Sequence, residues 1–400
     1  MDNNIFETHE IFLTPLSPIH IGCGHDLVAT DYYVLPDKLD NKPTGNGAVY
    51  FFDKSNVELS DKQRNDLLYL TRSQSEKMLL KLYRFVLDNY ETFEPYTKAI
   101  LKADKLFFEK YNSVLNNPSV ENKLEVLRCC YINKSGLEQP YIPGSSLKGA
   151  IKTALLDRKN GGATIKDNSM NYELEKRLLG GTFDKSPMSL VKVSDLMPFD
   201  DKVYSKIIQV QQGKNDAIPS FIEVINQARY RSFHGTITFT IDVKKDIKKP
   251  FSDTKDFSKC MLDFYEPRIS NIVSSKTSEM KGYTRKWYDM LHDLLKRFEP
   301  KFENGTAFLT RIGRYQGVDS ITFPLGKDKI PKVSCYSNES VNQNYNSDLK
   351  VMNMPLGLAL VEIDPKENDK ALDEFCTKVR DMENGFNYSK KRTKILKERG

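Results

Sequence analysis

Apolar positions come first in short runs and later in helical stripes. Residues 10–14 read as a strand that Pro15 and Pro18 break, and residues 19–21 lead into Gly22-Cys23-Gly24-His25. Residues 28–34 and 48–52 read as further strands, with Pro43, Gly45 and Gly47 marking the turn between them. The texture changes near Asp53. From Ser60 to Cys130 there is little Gly or Pro, and Leu79, Leu82, Tyr83, Val86 and Leu87 recur at helical spacing. A stretch too long for a connecting loop predicts a helical insertion at about residues 55–130. Tyr141-Ile142-Pro143-Gly144-Ser145-Ser146 then reads as a sharp turn into a helix, with Leu147, Ala150, Ile151, Ala154 and Leu155 as its buried stripe. Ser145 or Ser146 is placed to cap its first turn. Residues 190–193 and 207–210 read as strands, and residues 236–242 most clearly so, since Ile237, Phe239 and Ile241 alternate with threonines. Helices are predicted over 255–269 and 275–298, strands over 307–310 and 356–363, and a helix over 370–382 before a basic tail. Short strands and separate helices make an α+β chain with antiparallel sheets.

With 400 residues, 39% of them hydrophobic, the chain can bury sizeable cores, which excludes global disorder. No apolar run approaches the roughly 18 residues of a membrane span, and residues 1–10 lack a basic-then-apolar signal region. A cytoplasmic protein that neither crosses a membrane nor is exported is the expectation. Six scattered cysteines without a CxxC pair and five dispersed histidines speak against a zinc site or a disulfide framework, so no metal or cofactor is predicted. The net charge of +6 permits a polyanionic partner without requiring one. Basic residues gather at 244–249, at Arg311 and Arg314, and in the tail at Lys390, Lys391, Arg392, Lys394, Lys397 and Arg399, which is expected to be mobile.

Three segments could carry chemistry. Gly144, Ser145, Ser146, Lys148, Gly149 and Lys152 stand at a helix start, where unpaired amides and a partial positive charge favour an anion and the two lysines lie off the apolar stripe. The GxxxxGK[ST] spacing of a nucleotide loop is absent. His20, beside Gly22 and Gly24, could stack on a base or act as a general base, though a lone histidine is more often structural. Arg311, Gly313, Arg314 and Gly317 surround an aromatic residue in one loop, a pattern that suits a sugar-phosphate chain and equally a Gly-rich hairpin.

Together these segments resemble the RAMP proteins of CRISPR effector complexes. Leu13-Thr14-Pro15-Leu16-Ser17-Pro18-Ile19-His20-Ile21-Gly22 resembles their opening, and residues 141–155 match their PGSSLKGxxR segment. Residues 313–317 followed by Ser320-Ile321-Thr322 resemble their glycine-rich loop, with fewer glycines. Length, the insertion and the ending Pro355-Leu356-Gly357-Leu358-Ala359-Leu360 point to a large terminal subunit of a type III-A complex. The resemblance implies two ferredoxin-like (RRM-like) modules, residues 1–235 with the insertion and residues 236–400 with the basic tail. It implies a non-catalytic subunit that holds the 3′ side of crRNA, caps the backbone filament and supports crRNA 3′-end maturation in antiviral defence. Its partners would be crRNA, the repeated RAMP backbone subunit, the small helical subunit and host nucleases for 3′-end trimming. Two rivals are a repeat-processing RAMP endoribonuclease with His20 or His25 as general base, and a backbone subunit that cuts with Asp26 or Asp31.

Overall fold

The computed structural model describes residues 5–72, 77–117, 124–161, 176–181, 185–201, 203–212, 220–241, 247–276, 282–315, 335–340, 351–383 and 385–398. Strand β1 (Phe6–Pro15) is followed by β2 (Gly22–Leu27), β3 (Tyr32–Leu39) and β4 (Lys42–Phe52). Residues 28–31 are a turn rather than strand, because Asp31 accepts from the Val28 amide at 3.0 Å. The β3–β4 turn sits at Asp40 and Asn41, with φ of 49° and 63°, and not at Pro43, Gly45 and Gly47, which lie inside β4. Short polar side chains tolerate that left-handed backbone.

The insertion holds α1 (Asp61–Arg72), α2 (Met78–Asp88), α3 (Tyr90–Phe93), strand β5 (Thr97–Ala103) and α4 (Lys105–Asn116). Strand β5 interrupts the predicted helical stretch. Five of its seven residues in a row, from Ala99 to Ala103, are buried, so no alternation marks it as a strand. Next come β6 (Val126–Cys129), the hairpin β7 (Tyr131–Lys134) and β8 (Leu137–Pro140), and helix α5 (Gly144–Asn160). Helix α5 buries Leu147, Ala150, Ile151, Ala154 and Leu155 as expected and ends on Gly161 at φ 59°. Strands β9 (Val191–Val193), β10 (Met197–Pro198), β11 (Ser205–Gln212), β12 (Ser220–Ile225) and β13 (Phe233–Thr240) precede α6 (Thr254–Lys276) and α7 (Gly282–Glu303). The chain closes with β14 (Ala307–Arg311), β15 (Cys335–Ser340), β16 (Val351–Met352), β17 (Leu358–Ile363), α8 (Lys370–Met382) and α9 (Tyr388–Glu398).

The fold is α+β, with largely antiparallel sheets. In the first sheet β9 and β10 pair with β13, β13 with β1, β1 with β17 and β17 with β14, all antiparallel. Taking β1, β9/β10, β13 and β17 as first to fourth strands gives the order 2-3-1-4, with α5 after the first and α6 and α7 after the third. That is the ferredoxin-like arrangement, with β14 added outside. The helices and the sheet share one apolar core centred on Ile11, Leu13, Ile151, Phe233, Trp287 and Leu309. This sheet joins strands from both sides of the boundary expected at residue 235.

The second sheet runs β2-β6-β12-β11-β5-β4-β3, with β15 also on β11; among the described residues its parallel pairings are β6–β12 and β5–β11. The described part of the basic tail, expected to be mobile, is helix α9. It buries Tyr388 and Ile395, and Lys391 bonds the buried Asp37 at 2.8 Å. Lys394 meets Glu94 at 2.6 Å and Arg392 meets Asp201 at 3.4 Å. Among the described residues no helix is long and apolar enough to cross a membrane.

Candidate nucleic-acid interface

Sheet pairing brings the three singled-out segments to one place. The chain leaving β1 bridges to β12 through Ile19 and Ile225, and the chain leaving β14 then folds back onto it. Ile312 donates to Gly357 O at 2.8 Å, Gly357 to Pro18 O at 2.8 Å, and Arg314 to His20 O at 2.7 Å. Gly313 has φ 91°, and a Cβ there would stand 2.3 Å from His20 O, so the crossing requires glycine. Beside this crossing lies the start of α5. A cleft of about 410 Å³ opens between them, lined by Gly22, Ser145, Ser146, Gly149, Gly313 and Arg314 among others. Tyr265 of α6 closes one side and donates to Ala150 O at 3.3 Å. No carboxylate lines the cleft among the described residues.

Every predicted residue but Gly317 has a definite place. Ser145 and Arg314 are exposed and Ser146 half-buried, so two hydroxyls and one guanidinium face solvent at the cleft. Arg314 lies 5.3 Å from the Tyr315 ring, which in turn sits 5.5 Å from His20. Arg311 lines the cleft but is 4% exposed, and its Nε donates to Leu356 O at 2.8 Å, so it braces the loop instead of offering a fork to solvent. Gly149 leaves open space above it, whereas Gly24, at φ 82°, lies in the irregular stretch of β2 outside the cleft. Gly317 lies outside the described residues.

The capping expectation fails. Helix α5 has Pro143 at its cap position with no side-chain bond, and the Gly144 amide donates instead to Asp195 Oδ1 at 2.8 Å. A Cβ on Gly144 would meet Val193 O at 2.4 Å; this glycine serves close packing on β9, not the approach of a phosphate. Sequence reading missed Asp195, which comes from 51 positions away. Neither Lys148 nor Lys152 is among the residues that line the cleft; burial and the neighbouring Lys192 of β9 lower the Lys148 pKa. Because the stripe and these lysines are separate, Ile151→Ala should cost about 2–5 kcal/mol, the range for a buried large-to-small change. The Lys148→Ala/Lys152→Ala protein should melt with the unchanged chain, and thermal denaturation of the two checks both.

His20 is a structural residue. It is 1% exposed, with Nδ1 2.7 Å from Glu223 O and Cys129 Sγ 3.6 Å away. Below it, Glu223 accepts from the Cys129 amide at 3.0 Å and faces Arg128 at 3.6 Å, and Arg128 also bonds Glu138. A general base must reach its proton, and this ring is sealed from solvent. Asp31 is tied to Lys54 and to its own turn, while His25 and Asp26 are exposed on β2. Burial, with Arg314 nearby, lowers the His20 pKa. The folded chain therefore resists a proton that the unfolded chain takes near the usual value of about 6.5. Stability conferred above that pH is lost as the pH falls below it. Equilibrium unfolding at pH 7.5 and 5.5 should show a smaller loss for His20→Gln than for the unchanged chain.

A ferredoxin-like sheet with a glycine-bearing crossing over a helix start defines the class. The RAMP superfamily model matches residues 12–299, and the chain belongs to that family. It is similar to the CRISPR system Cms protein Csm5 of Methanocaldococcus jannaschii, 24% identical over 314 residues that cover 68% of this chain and 66% of that protein. The same-named protein of Streptococcus thermophilus is 25% identical over 264 residues, 59% of this chain and 65% of that protein. The chain thus spans about two thirds of the length of these curated relatives. Two solved structures align at 16% identity. One is the T. onnurineus Csm5 crystal structure, with TM-score 0.46 over 77% of this chain and 89% of that chain. The other is a chain of a Csm-crRNA-target RNA ternary complex of a type III-A CRISPR-Cas system, with TM-score 0.47 over 89% of this chain and 100% of that chain. Among the described residues no cluster of three metal-ligating side chains occurs.

Proposed function

We propose that this chain is a non-catalytic, RNA-binding subunit of a type III-A Csm effector complex, working in the cytoplasm in antiviral defence. It holds the 3′ side of crRNA, caps the filament of repeated RAMP backbone subunits beside the small helical subunit, and supports 3′-end maturation by host nucleases. One observation carries the reading: the cleft where Gly22, Ser145, Ser146, Gly313 and exposed Arg314 converge, with no carboxylate among its described lining. Such a surface suits a sugar-phosphate backbone, because hydroxyls and glycine amides can approach it closely while a guanidinium neutralises it. The two curated relatives and the RAMP match support the choice of complex. Burial of His20 weighs against the endoribonuclease alternative.

Binding of a labelled single-stranded RNA to the full chain, measured across salt concentrations, tests the proposal. Arg314→Glu should weaken binding at least tenfold and reduce the salt slope by about 0.7 per lost phosphate contact, at an unchanged melting temperature. Affinity independent of both salt and Arg314 would overturn it.

A further inference from the structure

We infer that the exposed face of the first sheet, over β10, β13 and β1, is a stacking platform for bases of the same RNA strand. This rests on the reading proposed above and extends the cleft. Register builds the platform: Met197 stands opposite His234, and His234 opposite Phe12. The rings of Phe12 and His234 are 4.6 Å apart, and Phe199 packs against Phe12 at 5.5 Å. Their neighbours Ile11, Leu13 and Phe233 point to the other face and are wholly buried, whereas Phe199 is 62% and Met197 43% exposed. Phe12 and His234, half-buried and in register across the first and third strands, together with the exposed Met197 of β10 and Phe199 just after it, offer flat apolar area that a base can cover.

Charge fixes which part of the strand lies where. Arg231 bonds Glu362, which stands opposite Phe12, at 2.8 and 3.0 Å and reaches within 5.8 Å of the Phe12 ring, so the one carboxylate in the row is neutralised. Exposed Lys192 stands opposite Thr238, on the same face as His234 by the alternation of β13, and Lys148 acts on it from α5. From His234 to Thr238 is four residues, roughly 13 Å at about 3.3 Å each, a span of two nucleotides. Glu10, opposite Thr236, keeps phosphates away from β1. Phosphates therefore belong on the Lys192 edge and bases over Phe12. The platform's edge is tied to the helix start at the cleft through the chain, since Asp195, which accepts from the Gly144 amide, is two residues before Met197 in β10.

The test compares a labelled single-stranded RNA with an abasic oligomer of equal length and charge, both bound to the full chain. Phe199→Ala and Phe12→Leu should each weaken RNA binding roughly tenfold and leave abasic binding unchanged. Lys192→Ala should lower the salt slope by about 0.7 on both ligands. If the phenylalanine variants bind RNA normally while Arg314→Glu does not, the platform is wrong and the cleft reading stands. If Arg314→Glu is also silent, the cleft reading fails. Equal losses on RNA and abasic oligomer, or normal RNA binding with failure to join neighbouring protein subunits, would also overturn the platform.

Discussion

A chain ending before residue 386 should fail to accumulate as folded, soluble protein. The deleted segment contains α9, which fills the second sheet's outer core with Tyr388 and Ile395; the Tyr388 ring stacks on Tyr204 at 5.3 Å. Burying a large apolar side chain contributes about 1.5–3 kcal/mol, so these two account for roughly 3–6 kcal/mol. That is a large part of a stability that is typically about 5–15 kcal/mol. Deletion also removes Lys391 from the fully buried Asp37 carboxylate, and an orphaned buried charge costs about 3–5 kcal/mol more. Soluble yield and thermal denaturation decide the matter. A truncated chain that melts with the full one would show that α9 contributes only charge.

Gly313→Ala should destabilise the chain and abolish RNA binding together. At φ 91° an added Cβ would lie 2.3 Å from His20 O, which is backbone and cannot swing aside. The unfavourable conformation alone costs about 1–3 kcal/mol. Displacing the loop also threatens the Ile312–Gly357 and Arg314–His20 bonds, at about 0.5–1.5 kcal/mol each. The contrast with Arg314→Glu is diagnostic. That change removes the cation and leaves the crossing intact, so it should lose RNA at a constant melting temperature, whereas Gly313→Ala should lose both. A Gly313→Ala chain with normal melting and normal RNA affinity would mean the loop need not sit on His20.

Local patterns made the helices legible, and long-range pairing made the site. Helix α5 and helix α8 announce themselves because an amphipathic stripe is written every three or four residues. Strand β5 does not, because burial on both faces erases alternation. All three site segments carried their signals in glycines, serines and basic residues, yet nothing local shows that residues 20 and 314 share a hydrogen bond. Arg311 and His20 are ordinary binding candidates by type, and only the packed core reveals them as internal braces. Asp195 had no signal, since it caps a helix that starts 51 residues earlier. In the tail, six basic residues masked a readable clue, Tyr388 and Ile395 seven apart on one helix face. The platform was hidden for a similar reason: Phe12, Phe199 and His234 meet only through strand register.

The most direct measurement is ultraviolet crosslinking of crRNA within the assembled complex, followed by mass spectrometry of the crosslinked peptides of this chain. The account predicts crosslinks at Ile21–Gly22, at Ser145 and Ser146, and at Arg314 and Tyr315, all from the 3′ side of the guide. Crosslinks confined to the helices of the insertion, or to RNA from the 5′ side, would contradict it.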